Sequence, residues 1–181
     1  MPRDLFAQLG ILPRFAIEGA ELDRRQRELF VQRQAEGPRA LELMNEAVNS
    51  LRDPATRAEQ LFELRGWATR GSPDPILLER IFTDREFIDL ARKKGDITAL
   101  NAWIDAARPR QQALLSKLTL LLDGPAATAY ASQSDAEPGP ESSGLSRRAL
   151  LILEEFRYVS RAIVTAHNAI SELEALETSQ Q

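Results

Sequence analysis

The sequence predicts an all-α fold in which a small helical domain is followed by an antiparallel three-helix bundle. Apolar residues recur at helical spacing along most of the chain, which is typical of amphipathic helices. Glycine, proline and capping side chains separate these periodic segments. Hydrophobic residues make up 43% of the 181 residues, which suffices for the core of one ordinary domain or two small ones.

The composition argues against several functional classes. A net charge of −4 disfavours nucleic acid as a main partner. The chain has no cysteine and one histidine, His167, so we expect no Cys/His metal site, disulfide or thiol catalysis. No phosphate-binding glycine loop or Ser/His/Asp arrangement is present, which predicts a protein that is not an enzyme and needs no cofactor or metal. Without a membrane-spanning run or an apolar signal core, we expect no membrane partner and a cytoplasmic location.

Two helical segments are predicted near the start of the chain. A short apolar turn or helix ends at the Gly-Ile-Leu-Pro stretch 10–13. A longer helix follows over about 19–35. The apolar positions of the two segments are Leu5, Phe6, Leu9, Leu22, Leu29 and Phe30. These side chains are therefore predicted to anchor a small core.

The next stretch reads as a helix, a sharp break and a second helix. The first helix has one apolar face, made of Leu41, Met44, Val48 and Leu51. Asp53 is a natural N-cap for the second helix, and Pro54 suits its first turn, where a missing N–H costs nothing. Gly66 can end this helix. By physical criteria alone, this segment is a structural helix–turn–helix.

A linker is predicted at 67–74, because glycine and proline break regular structure there. We therefore expect one domain at 1–66 and a second at 75–181. The second begins with a helix from Pro75 to about Lys94, ended by Gly95. Its apolar stripe is Leu77, Ile81, Ile88 and Ala91. Additional apolar residues beside the stripe make its apolar surface wider than one packing seam requires.

Two long helices complete the predicted bundle. The first is capped by Asp96, contains one polar seam residue, Gln111, and should be kinked or interrupted at Pro109. A flexible loop is predicted at 123–144, rich in Gly, Pro, Ala and Ser. The last helix runs over about 146–176, with His167 facing solvent and Tyr158 at the bundle edge or exposed. Its seam residues alternate by three and four: Ala149, Ile152, Phe156, Val159, Ile163, Ala166, Ile170 and Leu173.

The first half of the chain resembles HscB-type J-domain co-chaperones of iron–sulfur cluster assembly. The resemblance is carried by Asn45-Glu46-Ala47, Leu51-Arg52-Asp53-Pro54 and Arg57-Ala58-Glu59, and by the start of the chain from Asp4 to Phe15. It implies that 1–66 is J-domain-like and that a three-helix bundle follows.

The resemblance fails at the His-Pro-Asp tripeptide, which in the family engages a DnaK-like ATPase and stimulates ATP hydrolysis. Gln34, Ala35 and Glu36 stand at that position, and the following stretch 37–40 is much shorter than the family's loop. Glutamine has no titratable imidazole and alanine lacks the fixed backbone of proline. We therefore expect contact with a DnaK-like chaperone to be degenerate and its stimulation weak or absent.

The second half resembles the HscB domain that binds the iron–sulfur scaffold protein. Leu78, Phe82 and Glu86 match the family's scaffold-contact positions, and Tyr158 replaces one aromatic residue with another. The family tends to have Met, Glu and Glu where this chain has Glu79, Thr83 and Leu90. The resemblance therefore implies a scaffold-binding surface that keeps its apolar part and differs in its charged part.

Three functional hypotheses follow. The first is a co-chaperone or adaptor that binds an iron–sulfur scaffold protein and presents it to a DnaK-like chaperone. The second is a non-enzymatic helical interaction module unrelated to cluster assembly. The third, a transcriptional regulator built on the helix pair around Asp53, is disfavoured because no basic recognition helix is present. Leu78 and Phe82 could also pack on the first domain instead of binding a partner.

Overall fold

A computed structural model describes residues 4–71, 74–125 and 140–179. Every regular element in these ranges is a helix, which confirms the predicted all-α fold. The helices are α1 Leu5–Leu9, α2 Gly19–Glu36, α3 Pro38–Arg52, α4 Pro54–Leu64, α5 Pro75–Lys94, α6 Ile97–Asp123 and α7 Pro140–Thr178. None of the described helices is long and apolar enough to cross a membrane.

The contacts between residues divide the chain into two compact units. The first unit comprises 1–70 and 117–150, and the second comprises 71–116 and 151–181. Both α6 and α7 thus contribute residues to each unit. The sequence-based boundaries at 1–66 and 75–181 group 117–150 with the second half instead, and they remain a prediction.

In the first unit, α2 and α3 form an antiparallel hairpin joined by the single residue Gly37. Its φ of 107° lies in the region that favours glycine. Two side-chain pairs connect the helices: Gln26 Nε2 donates to Asn45 Oδ1 at 2.8 Å, and Arg52 forms an ion pair with Asp23. The apolar face of α3 is buried as predicted, through Met44, Val48 and Leu51. On α2 Leu22 is buried, Leu29 is half-buried and Phe30 is exposed, so only part of the predicted apolar face reaches the core.

The break between α3 and α4 has the predicted cap and an additional buried cation. Asp53 accepts hydrogen bonds from the Thr56 N–H at 2.9 Å and the Thr56 hydroxyl at 2.6 Å. Arg57 is buried and donates to the carbonyl oxygens of Ile17 at 3.0 Å and Leu51 at 3.1 Å. Its guanidinium also lies 5.2 Å from the centre of the Phe15 ring. Arg57 therefore ties the segment before α2 to the end of α3.

The same segment before α2 is held by a carboxylate from the end of α6. Asp123 accepts hydrogen bonds from the N–H groups of Phe15 at 2.7 Å and Ala16 at 2.6 Å. Arg65 donates to the carbonyl oxygen of Leu122 at 2.7 Å, one residue earlier on α6. The last turn of α6 is thus part of the first unit through polar contacts with backbone groups.

In the second unit, the helix ends follow the sequence signals. Asp74 accepts from the Ile76 N–H at the start of α5, and Gly95 ends that helix with a φ of 69°. Asp96 accepts from the Ala99 N–H at 2.8 Å, as predicted. α6 continues through Pro109, so the expected local interruption is absent from this described helix.

The predicted packing seams are largely buried. Ile152 and Leu173 of α7 are only half-buried, and on α6 Leu122 is more deeply buried than the predicted Leu121. The buried seam residues include Ile88, Ala91, Leu100, Ile104, Leu114, Leu118, Phe156, Val159, Ile163, Ala166 and Ile170. The three–four alternation therefore identified most of the residues that pack the long helices.

Helices α6 and α7 reach into both ends of the predicted loop at 123–144, and the loop between them remains a prediction. Asp123 is the last residue of α6, and the stretch from Pro140 to Gly144 belongs to α7, which begins before the predicted 146. Proline is favoured in the first turn of a helix, so Pro140 is compatible with a helix start rather than a loop. Residues 126–139 lie outside the described residues.

Candidate protein-binding face

Three of the predicted contact residues lie on one side of α5. Leu78, Phe82 and Glu86 are spaced four residues apart, which places them on one helix face. Phe82 is 68% exposed and Leu78 is 37% exposed, whereas Ala91, on the opposite side of the helix from Phe82, is buried. We call Leu78, Phe82 and Glu86 the α5 face. Two exposed apolar side chains beside a charged residue are compatible with a protein-binding site.

The α5 face continues towards the C-terminal end of α5. A shallow concavity of about 430 Å³ lies beside Phe82. Its lining consists of Phe82, Arg85, Glu86, Asp89, Leu90 and Lys93. Charged groups thus surround the exposed aromatic ring, as in interfaces that have an apolar centre and a polar rim.

Tyr158, the fourth predicted contact residue, lies on a neighbouring surface of the second unit. It is half-buried, and its hydroxyl group donates to Asp84 Oδ2 at 3.2 Å and lies 3.5 Å from the carbonyl oxygen of Ile81. Burial, together with the charge and hydrogen bond of Asp84, raises the pKa of Tyr158. The structure therefore places Tyr158 beside α5 at Ile81 and Asp84, with its hydroxyl in a polar contact.

Asp84 is the centre of a polar network that the sequence analysis did not identify. It occupies the seam position between Ile81 and Ile88, and it accepts a hydrogen bond from Trp103 Nε1 at 3.2 Å. Arg110 lies 3.8 Å from Asp84 Oδ2. The sequence did contain a signal for this network, since Asp84 is a carboxylate that interrupts the three–four apolar alternation of α5. Such a residue needs polar partners once it packs between helices.

The network extends from α6 to α7 through Arg110. Its Nε and Nη2 atoms donate to Glu155 Oε1 at 2.9 and 2.7 Å. Arg80 of α5 also approaches Glu155, at 3.4 Å. The next residue after Arg110, Gln111, is the polar seam residue of α6, and its Nε2 donates to the Ser160 hydroxyl at 2.8 Å. These contacts fix the register of the three helices behind the α5 face.

The predicted chaperone-contact residues are in a helix rather than a loop. Gln34, Ala35 and Glu36 form the exposed last turn of α2, and α3 starts after Gly37. Glu36 accepts from Arg33 Nη1 at 2.7 Å, within the same helix. The carbonyl oxygen of Gln34 accepts from the Gly37 N–H at 3.2 Å. Their side chains are thus presented from a regular helix end.

The described part of the chain offers no obvious site for metal chemistry. Within 4–71, 74–125 and 140–179, no group of three or more His, Cys, Asp or Glu side chains is placed to hold a metal ion. The exposed apolar α5 face and its charged rim are suited to binding another protein.

Comparison with known proteins supports the fold. No protein-family model and no curated protein sequence matches this chain. A solved structure, the chaperone HscB from Vibrio cholerae, matches with a TM-score of 0.67 and 20% sequence identity. The match covers 94% of this chain and 99% of that one. The chain therefore has an HscB-like fold over nearly its whole length.

Proposed function

We propose that the protein is a non-enzymatic co-chaperone or adaptor in iron–sulfur protein maturation. It binds the cluster scaffold protein on the α5 face and presents it to a DnaK-like chaperone. The observation that carries this proposal is the 68% exposure of Phe82 on a helix whose opposite side is packed into the bundle. The HscB-like fold and the matched residues Leu78 and Glu86 support the same assignment.

The free energy available from Phe82 is sufficient to make it an anchor. Complete burial of a Phe side chain contributes about 1.5–3 kcal/mol. Because roughly two-thirds of Phe82 is exposed in the free protein, covering it contributes about 1–2 kcal/mol. Leu78 adds a smaller apolar area beside it, and Glu86 supplies a rim charge that favours specificity and association rate over affinity.

We further propose that stimulation of the chaperone ATPase is weak or absent. The chain's one histidine is His167, so no His-Pro-Asp tripeptide occurs in the sequence. Gln34, Ala35 and Glu36 extend α2 instead of forming a loop. The hypothesis of scaffold binding is independent of this second step, since it depends on residues of α5.

Isothermal titration calorimetry against the iron–sulfur scaffold protein of the source organism tests the proposal. Phe82→Ser should weaken binding at least about tenfold, which corresponds to about 1.4 kcal/mol. Phe87→Ser is the matched control, because Phe87 is 42% exposed on the same helix and lies about 140° around it from Phe82. We expect the control to change affinity less than about twofold.

Two outcomes would contradict the proposal. Equal losses in Phe82→Ser and Phe87→Ser, with intact circular dichroism, would show that the α5 face has no special role. Absence of scaffold binding by the unaltered protein would favour the alternative, a helical interaction module unrelated to cluster assembly. Size-exclusion chromatography with light scattering would support that alternative if it showed a stable large oligomer.

A further inference from the structure

A groove between α5 and α7 of the second unit has an apolar floor and a basic rim. Its volume is about 440 Å³. The floor is formed by Ile81, Ile88 and Ala162, and the arginines on the rim are Arg85, Arg92 and Arg161. The function proposed above uses the exposed side of α5 and does not assign a role to this groove.

The rim carries more positive than negative charge, although the whole chain has a net charge of −4. Asp89 is the one acidic residue in the lining. Arg92 is paired with Glu172 at 2.6 Å. Across the described ranges, the guanidinium groups of Arg85 and Arg161 have neither an ion pair nor a hydrogen bond. Two guanidinium groups on this rim are therefore available to a ligand.

The chemistry of the rim suits a carboxylate. A guanidinium group presents several N–H donors in a plane and can hold a carboxylate with two parallel hydrogen bonds. Arg85 and Arg161 are exposed, so salt screens their attraction for a carboxylate and the attraction should weaken as the ionic strength rises. Methylene groups of glutamate or aspartate can contact the floor while their carboxylates reach the rim.

The groove is continuous with the α5 face. Arg85 and Asp89 line both the groove and the concavity beside Phe82. A chain segment that leaves a partner docked on Phe82 can therefore reach the groove by passing over α5 at Arg85 and Asp89. Tyr158 lines the groove as well, which gives this predicted contact residue a place in the same surface.

We propose that the groove binds an acidic peptide segment of the same scaffold protein that docks on the α5 face. This inference rests on the proposed function for the identity of the partner. The groove itself selects for carboxylate side chains on an extended segment, with Arg85 and Arg161 as the two specificity-determining residues.

The test uses the full chain with two probes. The first is a fluorescein-labelled hexaglutamate peptide, measured by fluorescence anisotropy, with a hexalysine peptide as the charge control. The second is the scaffold protein, measured by calorimetry at about 50 and 200 mM salt, since salt screens exposed charge pairs. The variants are Arg85→Gln/Arg161→Gln and, as a matched control, Arg108→Gln. Arg108 is an exposed arginine of α6 that is absent from the groove lining.

The double variant should bind hexaglutamate and the scaffold protein about tenfold more weakly, with a reduced salt dependence. Arg108→Gln should behave like the unaltered protein. If the double variant binds the scaffold protein as tightly as the unaltered protein does, the proposed role of the groove is refuted, whereas the proposed function is not affected. If hexaglutamate binds through Arg85 and Arg161 and the scaffold protein does not bind, carboxylate binding by the groove is confirmed, whereas the scaffold protein as its partner and the proposed function are both refuted. Hexaglutamate binding no stronger than hexalysine binding would overturn the inference.

Discussion

Replacing Asp84 with alanine should destabilise the second unit by about 2 kcal/mol. The carboxylate accepts from Trp103 Nε1 and the Tyr158 hydroxyl, both at 3.2 Å, and lies 3.8 Å from Arg110. Hydrogen bonds to a charged group contribute about 1.5–3 kcal/mol each, and these two are long enough that we take the lower end, about 3 kcal/mol together. The partly exposed Arg110 pair adds less than about 0.5 kcal/mol.

A partial gain offsets this loss. The Asp84 side chain is only 19% exposed, so its removal relieves the desolvation of a charged group, which we take as about 1 kcal/mol. The net loss of about 2 kcal/mol should lower the urea midpoint by about 1 M, because the slope for a domain of this size is about 2 kcal/mol per molar.

Fluorescence can isolate the relevant unit. The chain has two tryptophans, Trp67 in the first unit and Trp103 in the second. Urea unfolding in a Trp67→Phe background therefore reports on Trp103 alone. Asp105→Ala is the matched control, because Asp105 is 76% exposed on α6 and has only a 4.0 Å ion pair. A midpoint for Asp84→Ala that is indistinguishable from that of Asp105→Ala would refute the reasoning.

Three further predictions concern single residues. In a Tyr130→Phe variant, Tyr158 is the remaining tyrosine and its ionisation can be followed by absorbance at about 295 nm. The pKa of Tyr158 should lie well above 10 in the folded protein and near its ordinary value of about 10 in urea. Because the unfolded chain would then lose this proton first, folded-state stability should fall as the pH rises above about 10; coincident folded and urea titrations would contradict this. Asp53→Ala should lower the free energy of unfolding by about 1 kcal/mol, because the α4 N-cap is lost, whereas Asp53→Asn should retain most of that stability. Both are measured from the thermal unfolding midpoint, and an unchanged midpoint in Asp53→Ala would contradict the role of the cap. Arg57→Met should lower the free energy of unfolding by about 2–3 kcal/mol, because two buried carbonyl groups lose their donor. Urea unfolding followed by Trp67 fluorescence in a Trp103→Phe background measures this loss, and a loss below about 0.5 kcal/mol would refute that role of Arg57.

Local signals were sufficient for most helix boundaries. Asp53, Asp96 and Gly95 act within one or two turns of their own position, so sequence alone identified them. The start of α7 was missed because Pro140 and Gly144 resemble a loop in composition, although proline is also compatible with a first helical turn. Phe30 shows the limit of periodicity, since it fits the apolar spacing of α2 yet is exposed.

The candidate site was only partly predictable. Leu78 and Phe82 were identified through the resemblance to HscB-type co-chaperones, and periodicity indicated only that α5 has apolar surface beside its packing stripe. The network around Asp84 and Arg110 was not, because a carboxylate in a helix acquires its partners only when other helices are packed against it. The groove was missed for the same reason, since Arg161 comes from a helix distant in sequence.

The hydrogen bonds between Asp123 and the backbone before α2 have a consequence for the order in which the chain assembles. They join residues 107 and 108 positions apart, and the intervening stretch 71–116 belongs to the other unit. At a synthesis rate of about 5–20 residues per second, roughly 5–20 s pass between the synthesis of Phe15 and Ala16 and the synthesis of Asp123, which accepts from their N–H groups. During that interval α1 to α4 can form their mutual contacts, but the segment before α2 lacks one of its two anchors. Completion of the first unit on the ribosome therefore depends on prior synthesis of α5 and most of α6.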